Sequence, residues 1–188
     1  MHTSVGKKVG LAAAIMMASV FLSRAIGLFR EMVIAYIGGA TAEVDAYQVA
    51  FILPEILNHV AASGFLSITF IPIFSKYLAR NDADGGWQVF SDILSVFGAV
   101  LCLLTAVAWV AAPRLVAILA PGLDDPAIRE LAVTMTRIIL PAQVFFFAGG
   151  LLMAVQYANA SFVVPALAPL VYNAGIIAGG LLIGPRLG

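Results

Sequence analysis

The sequence predicts an all-α protein, a polytopic transmembrane helical bundle. Two observations carry that expectation, and a third turns it toward function. Of 188 residues, 62% are hydrophobic and only 11% charged, with a mean hydropathy of +1.04, far outside the range of soluble domains. The apolar residues fall in runs longer than the roughly 20 needed to cross a bilayer as a helix. The few ions inside those runs lie on arcs of the helix surface.

The first run extends from Val9 to Ile37 and holds Arg24, Arg30 and Glu31. At about 100° per residue, Ser19, Ser23, Arg24, Gly27, Arg30 and Glu31 fall within an arc of roughly 140°, with Ala25, Ile26, Leu28, Phe29, Met32 and Val33 opposite. A charge at membrane depth costs several kcal/mol unless it faces protein or water, so this arc is expected to line a site. Lys7 and Lys8, followed by an Ala-rich stretch, imitate a secretory signal. The run continues past the charges and further runs follow, which predicts an uncleaved first helix.

The second run, Val44 to Tyr77, repeats the pattern: Asp45, Gln48, Glu55, Asn58, His59 and Ser63 project into a similar arc if the helix is continuous. Pro54 removes a backbone donor in its middle and predicts a kink. Two successive helices with polar faces must bury them against each other or around water, and a hydrated cavity houses so many ionisable groups most simply. The remaining runs are Phe90 to Ala111, Ile128 to Tyr157 and Val163 to Ile183, giving five spans. Several exceed what the hydrocarbon requires, so tilting or projection beyond it is expected.

Gly, Pro and Asp mark the connections at Gly38 to Glu43, Arg80 to Gly86, Ala112 to Pro126 and Asn159 to Pro165. Leu115, Val116, Ile118 and Leu119, ahead of Pro121-Gly122, predict a short interfacial helix in the longest of them. Gly175 and Gly179 fit a small-xxx-small pattern that lets two helices approach closely. Lys7, Lys8, Lys76 and Arg80 weight one side of the membrane, against Arg114 and Arg129 among Asp124, Asp125 and Glu130 on the other. That bias places the N-terminus in the cytoplasm.

Each candidate residue has a plain reading beside a functional one. Arg24 would form a structural ion pair with Asp45 or Glu55, or await an anionic ligand. The second is favoured because polar contacts between membrane helices add only about 1 kcal/mol, whereas the guanidinium fork holds phosphate in two hydrogen bonds. Arg30 and Glu31 lie near the helix end, where snorkelling competes with a cavity role. Asp45 suits a helix N-cap as well as a cavity. Arg137 opens the segment RIILP, too far from Glu130 for a short ion pair, which suggests the cavity. His59 reads as a proton switch or a hydrogen-bonded packing residue.

Zero formal net charge gives no reason to expect a nucleic-acid partner. With Cys102 as the only cysteine and His2 and His59 far apart, neither a disulfide nor a zinc site is expected. The sequence holds no H-E-x-x-H, G-x-S-x-G or Walker glycine loop, so no cofactor, catalytic residue or enzymatic activity is expected.

Six segments together resemble the MurJ/MviN family of bacterial lipid-linked peptidoglycan-precursor flippases. They are SRAIGLFRE at Ser23 to Glu31, DAYQVAFILP at Asp45 to Pro54, SITFIPIFSKY at Ser67 to Tyr77, APG at Ala120 to Gly122, RIILP at Arg137 to Pro141 and PALAPLVYN at Pro165 to Asn173. The resemblance implies a two-lobed fold of roughly fourteen helices built from repeats. This chain, residues 1–188, would be most of the N-terminal lobe, a fragment whose partner is the C-terminal lobe or another membrane subunit. It further implies a bacterial inner-membrane protein that moves lipid II, an undecaprenyl-pyrophosphate-linked glycan, outward by alternating access, with membrane lipids around it. Arg24, Arg30 and Asp45 match the family's cavity residues. The sequence departs from the family at Asn58 and His59, where arginine is usual, at Ser63, where glutamate is usual, and at Ser161, where a basic residue is usual. Those departures leave room for a flippase of another lipid-linked glycan or a cation-coupled exporter. A non-transporting scaffold for cell-envelope enzymes is the alternative of a different class.

Overall fold

The computed structural model describes residues 2–62 and 69–182; for residues 2–9, 11–13, 37 and 60–62 it describes the backbone alone. Seven helices occur among these residues: α1 His2–Gly38, α2 Ala42–Ala62, α3 Ile71–Ala79, α4 Ala83–Leu119, α5 Pro126–Ile139, α6 Ala142–Ala158 and α7 Val163–Leu182. The chain divides into two compact units, one formed by 1–39 with 160–188 and the other by 40–159.

The first unit pairs α1 with α7. The Ser19 hydroxyl donates to the Ala166 carbonyl, and eleven residues on, three turns along the same face, Arg30 reaches Asn173. A Cβ on Gly27 would meet the Asn173 side chain at 4.0 Å. Contacts that advance together on both helices make them parallel. Among the described residues a Cβ at Gly175 or Gly179 meets no atom within 4 Å, and the α1–α7 seam runs past Ala166 and Asn173.

The second unit is three antiparallel crossings, legible from three stacked layers of buried side chains. At one end Ala46 of α2 meets Ala112 and Val116 of α4 and Ala132 and Val133 of α5. Leu53, Ala108 and Leu140 form the middle layer. At the other end Phe70 and Phe74 pack on Leu101 of α4 and on Phe147, Leu151 and Ala154 of α6. The chain passes through these layers in one direction from α2 to α3, returns along α4, and passes again from α5 to α6.

Local chemistry sets the ends. Asp82 caps α4, its carboxylate accepting from the Gly85 amide at 2.9 Å. Gly85 is required by this close approach, since a Cβ there would stand 2.5 Å from the Asp82 carboxylate and 2.7 Å from the Tyr77 ring. Asp125 caps α5 through the Ala127 amide at 2.8 Å, with Pro126 in the first helical turn, where its missing donor costs nothing. Asn81 takes the left-handed turn conformation, φ 55°, which asparagine tolerates.

Three boundaries differ from the sequence reading. The run Val44 to Tyr77 contains two described helices, α2 and α3, with residues 63–68 lying outside the described residues. The short helix expected at Leu115 to Leu119 is the end of α4, which continues through Pro113 and at 37 residues is about 55 Å long. The run Ile128 to Tyr157 is divided at Leu140-Pro141, where the Pro141 ring cannot donate to the Arg137 carbonyl one turn back. Among the described residues, three stretches are long and apolar enough to cross a membrane: Ala83–Leu119, Pro126–Ala158 and Val163–Leu182.

One buried polar group is unsatisfied in a telling place. Thr105 is buried in α4 beside an apolar groove of about 480 Å³ shared with α6, and its hydroxyl has no hydrogen-bond partner among the described residues. Thr105→Val keeps the shape and removes that group, so it is expected to stabilise the folded protein by about 1 kcal/mol. Thermal unfolding in detergent measures this, and a loss of stability would mean the hydroxyl bonds a helix carbonyl.

Candidate functional site

In the first unit, Arg24 is exposed on α1 and its side chain makes no hydrogen bond or ion pair within that unit among the described residues. Arg30 is held. Its Nε and Nη2 donate to Glu31 Oε1 at 3.2 and 2.5 Å, and its Nη1 donates to Asn173 Oδ1 at 3.3 Å. Asn173 is buried and donates in turn through Nδ2 to the Pro169 carbonyl at 2.9 Å. Arg30 is therefore oriented and partly neutralised, with a quarter of its side chain still exposed (26%).

In the second unit, α2 buries Ala46, Ala50, Leu53 and Pro54, while Asp45, Gln48, Glu55, Asn58 and His59 are all exposed. The predicted polar arc is thus a continuous stripe opposite the packed face, and it passes Pro54 without losing register. Asp45 does not cap the helix. It stands beside Glu43 in the first turn, where the Thr41 carbonyl accepts from the Val44 and Asp45 amides. The Glu43 carboxyl is held below its usual range by its own backbone hydrogen bond and by the Thr41 hydroxyl. His59 Nδ1 lies 3.0 Å from the Glu55 carbonyl and donates to it. Ser63 lies outside the described residues.

Arg137 of α5 lies against Trp109 of α4. Its Nε donates to the Trp109 carbonyl at 3.1 Å, and its guanidinium carbon stands 4.7 Å from the centre of the Trp109 ring.

Chemically, the first unit offers one uncompensated guanidinium, Arg24, six residues from a second that is locked in place. The second unit offers a stripe of carboxylate, amide and imidazole groups. Asn173 escaped the sequence reading, although an asparagine one turn after a proline in an apolar helix is itself a signal of an interhelical contact.

Residues 34–188 match the family described as lipid II flippase MurJ. The chain is 35% identical over 167 residues to the lipid II flippase MurJ of Burkholderia cenocepacia, covering 88% of this chain and 32% of that protein. It is 33% identical over 158 residues to the probable lipid II flippase MurJ of Buchnera aphidicola subsp. Baizongia pistaciae, covering 84% and 31%. Against the probable lipid II flippase MurJ of Thermotoga maritima it is 30% identical over 161 residues, covering 86% and 33%. The chain therefore spans about a third of the length of the curated relatives it matches. Agreement over this much of the chain, with proteins of three different organisms, means that it belongs to the lipid II flippase MurJ family.

Proposed function

We propose that this chain is the N-terminal lobe of a flippase that carries lipid II from the inner to the outer leaflet of the bacterial inner membrane by alternating access. The observation that carries the reading is Arg24: an exposed guanidinium with no hydrogen bond or ion pair in its unit among the described residues, on an apolar helix of a chain from this family. Arg24 binds the diphosphate in a bidentate contact. Arg30, oriented by Glu31 and Asn173, supplies a second charge, and Asp45 pairs with one of the two arginines when the site is empty. Gln48, Glu55, Asn58, His59 and Ser63 line the path for the sugar and peptide. The polyprenyl tail stays in lipid, and the C-terminal lobe or another membrane subunit closes the cavity.

The proposed topology has five spans, the second running from α2 to α3 and the fourth from α5 to α6, with the N-terminus cytoplasmic. Two features support it. The three crossings of the second unit alternate in direction, and α1 and α7 run parallel, as the first and fifth spans must. In a Cys102→Ala background, Asp84→Cys is expected to resist an impermeant thiol reagent in intact cells and Asp125→Cys to react. The reverse pattern would overturn the orientation.

A second reading, transport of another lipid-linked glycan, is favoured by Asn58, which stands on the exposed stripe where the family usually has arginine. Complementation of a strain depleted of its lipid II flippase, using the full gene product at matched membrane expression, separates the two. Rescue by the parent supports lipid II. No rescue by the parent, together with rescue by the Asn58→Arg, Ser63→Glu double variant, supports the other glycan.

A further inference from the structure

Of the prolines that interrupt the backbone ladder of the second unit, Pro113 and Pro141 are linked through one residue. In a continuous helix the amide of residue 113 would donate to the carbonyl of Trp109; Pro113 has no N–H, yet α4 runs on to Leu119. The donor that replaces it comes from α5: Arg137 Nε lies 3.1 Å from that same Trp109 oxygen, with the guanidinium over the Trp109 ring. Arg137 is also the residue whose own carbonyl is released by Pro141, at the break between α5 and α6, where Gln143 and Val144 turn back in tighter bonds to Leu140 and Pro141. The side chain satisfying one break thus grows from the other.

We infer that Arg137 is a positioning residue that clasps the two proline breaks into one mechanical unit, so that the α4 break and the α5–α6 break move together; it is not a ligand of the transported headgroup. Trp109 stands on an exposed face of α4; where such a face meets lipid, a carbonyl that has lost its helical donor demands another, and a charged donor is worth more there than a neutral one. Stacking on Trp109 fixes the plane of the guanidinium and aims Nε at the carbonyl. A lysine would keep the charge without that plane. The clasp does not depend on which lipid-linked substrate the protein carries.

The test is a double-mutant cycle in the full gene product. Pro113→Ala restores the backbone donor to Trp109 and makes the arginine redundant at that carbonyl. Arg137→Met is expected to lower transport per folded molecule about tenfold in the parent and no more than about twofold in the Pro113→Ala background. Hydrogen exchange gives a readout independent of substrate. In Arg137→Met, amides at Val110 to Ala117 and at Leu140 to Val144 are expected to exchange about tenfold faster while those around Leu151 are unchanged, and Pro113→Ala is expected to restore protection in α4. Equal losses from Arg137→Met in both backgrounds would overturn the clasp, as would a uniform rise in exchange across the second unit. Loss of headgroup affinity with unchanged exchange at both breaks would return Arg137 to the role of a ligand.

Discussion

Arg24→Ala is expected to abolish complementation of a flippase-depleted strain while leaving membrane expression and thermal stability close to those of the parent. The asymmetry follows from the surroundings of the side chain. Arg24 is exposed and forms no hydrogen bond or ion pair within its unit among the described residues, so truncating it strands no buried partner there. Its replacement removes only what a ligand would use, a planar fork of donors carrying a permanent charge. Arg24→Lys keeps the charge and loses the fork, so a large residual defect in that variant marks bidentate phosphate contact. Arg30→Ala should differ in kind. It leaves the Glu31 carboxylate without its ion pair and the buried Asn173 Oδ1 without its donor, so stability should fall along with transport. If Arg24→Ala removed folded protein from the membrane, the ligand reading of Arg24 would give way to a structural one.

Leu151→Ala is expected to give the largest stability loss of any single truncation in α6, on the order of 2 kcal/mol. Leu151 is fully buried among Phe70, Phe74, Leu101 and Phe147. In a membrane the unfolded reference is already apolar, so the transfer part of the usual penalty shrinks and the remainder is the cavity and its lost dispersion contacts. Phe145, six residues before Leu151 in the same helix but 77% exposed, has no such packing. Phe145→Ala should therefore change stability by less than about 0.5 kcal/mol, although it removes a larger side chain. Equal losses for the two would show that the second unit does not pack in the three layers described.

The helices were legible in the sequence because apolar runs of this length have few alternatives in a bilayer. So was the α2 stripe: Asp45, Gln48, Glu55, Asn58 and His59 emerge on the exposed face as the period predicts, opposite Ala46, Ala50 and Leu53. What could not be read is wherever a partner distant in sequence settles a local choice. Pro113 signals a helix end by local rules, yet α4 continues through it, and the freed Trp109 carbonyl accepts from a guanidinium 24 positions later. The contact of Arg137 with the Trp109 carbonyl was not legible either, because a backbone carbonyl has no signature in a sequence. The Gly175 and Gly179 pattern proposed a close approach that the α1–α7 seam makes elsewhere, at Gly27 beside Asn173. Roles for Arg24, Arg30 and Asp45 came from likeness to the family, and the geometry adds to them the difference between a free cation and a fixed one.

The central claim, that the protein carries lipid II outward on its first-helix arginines, is tested most directly by the leaflet position of lipid II itself. In cells depleted of their own flippase and expressing the full gene product, the fraction of lipid II open to a cleaving enzyme added outside is measured for the parent and for Arg24→Ala at equal membrane levels. The account predicts that the parent restores external access and that the Arg24→Ala protein, equally folded, does not. External access equal in both, or absent in both, would contradict it.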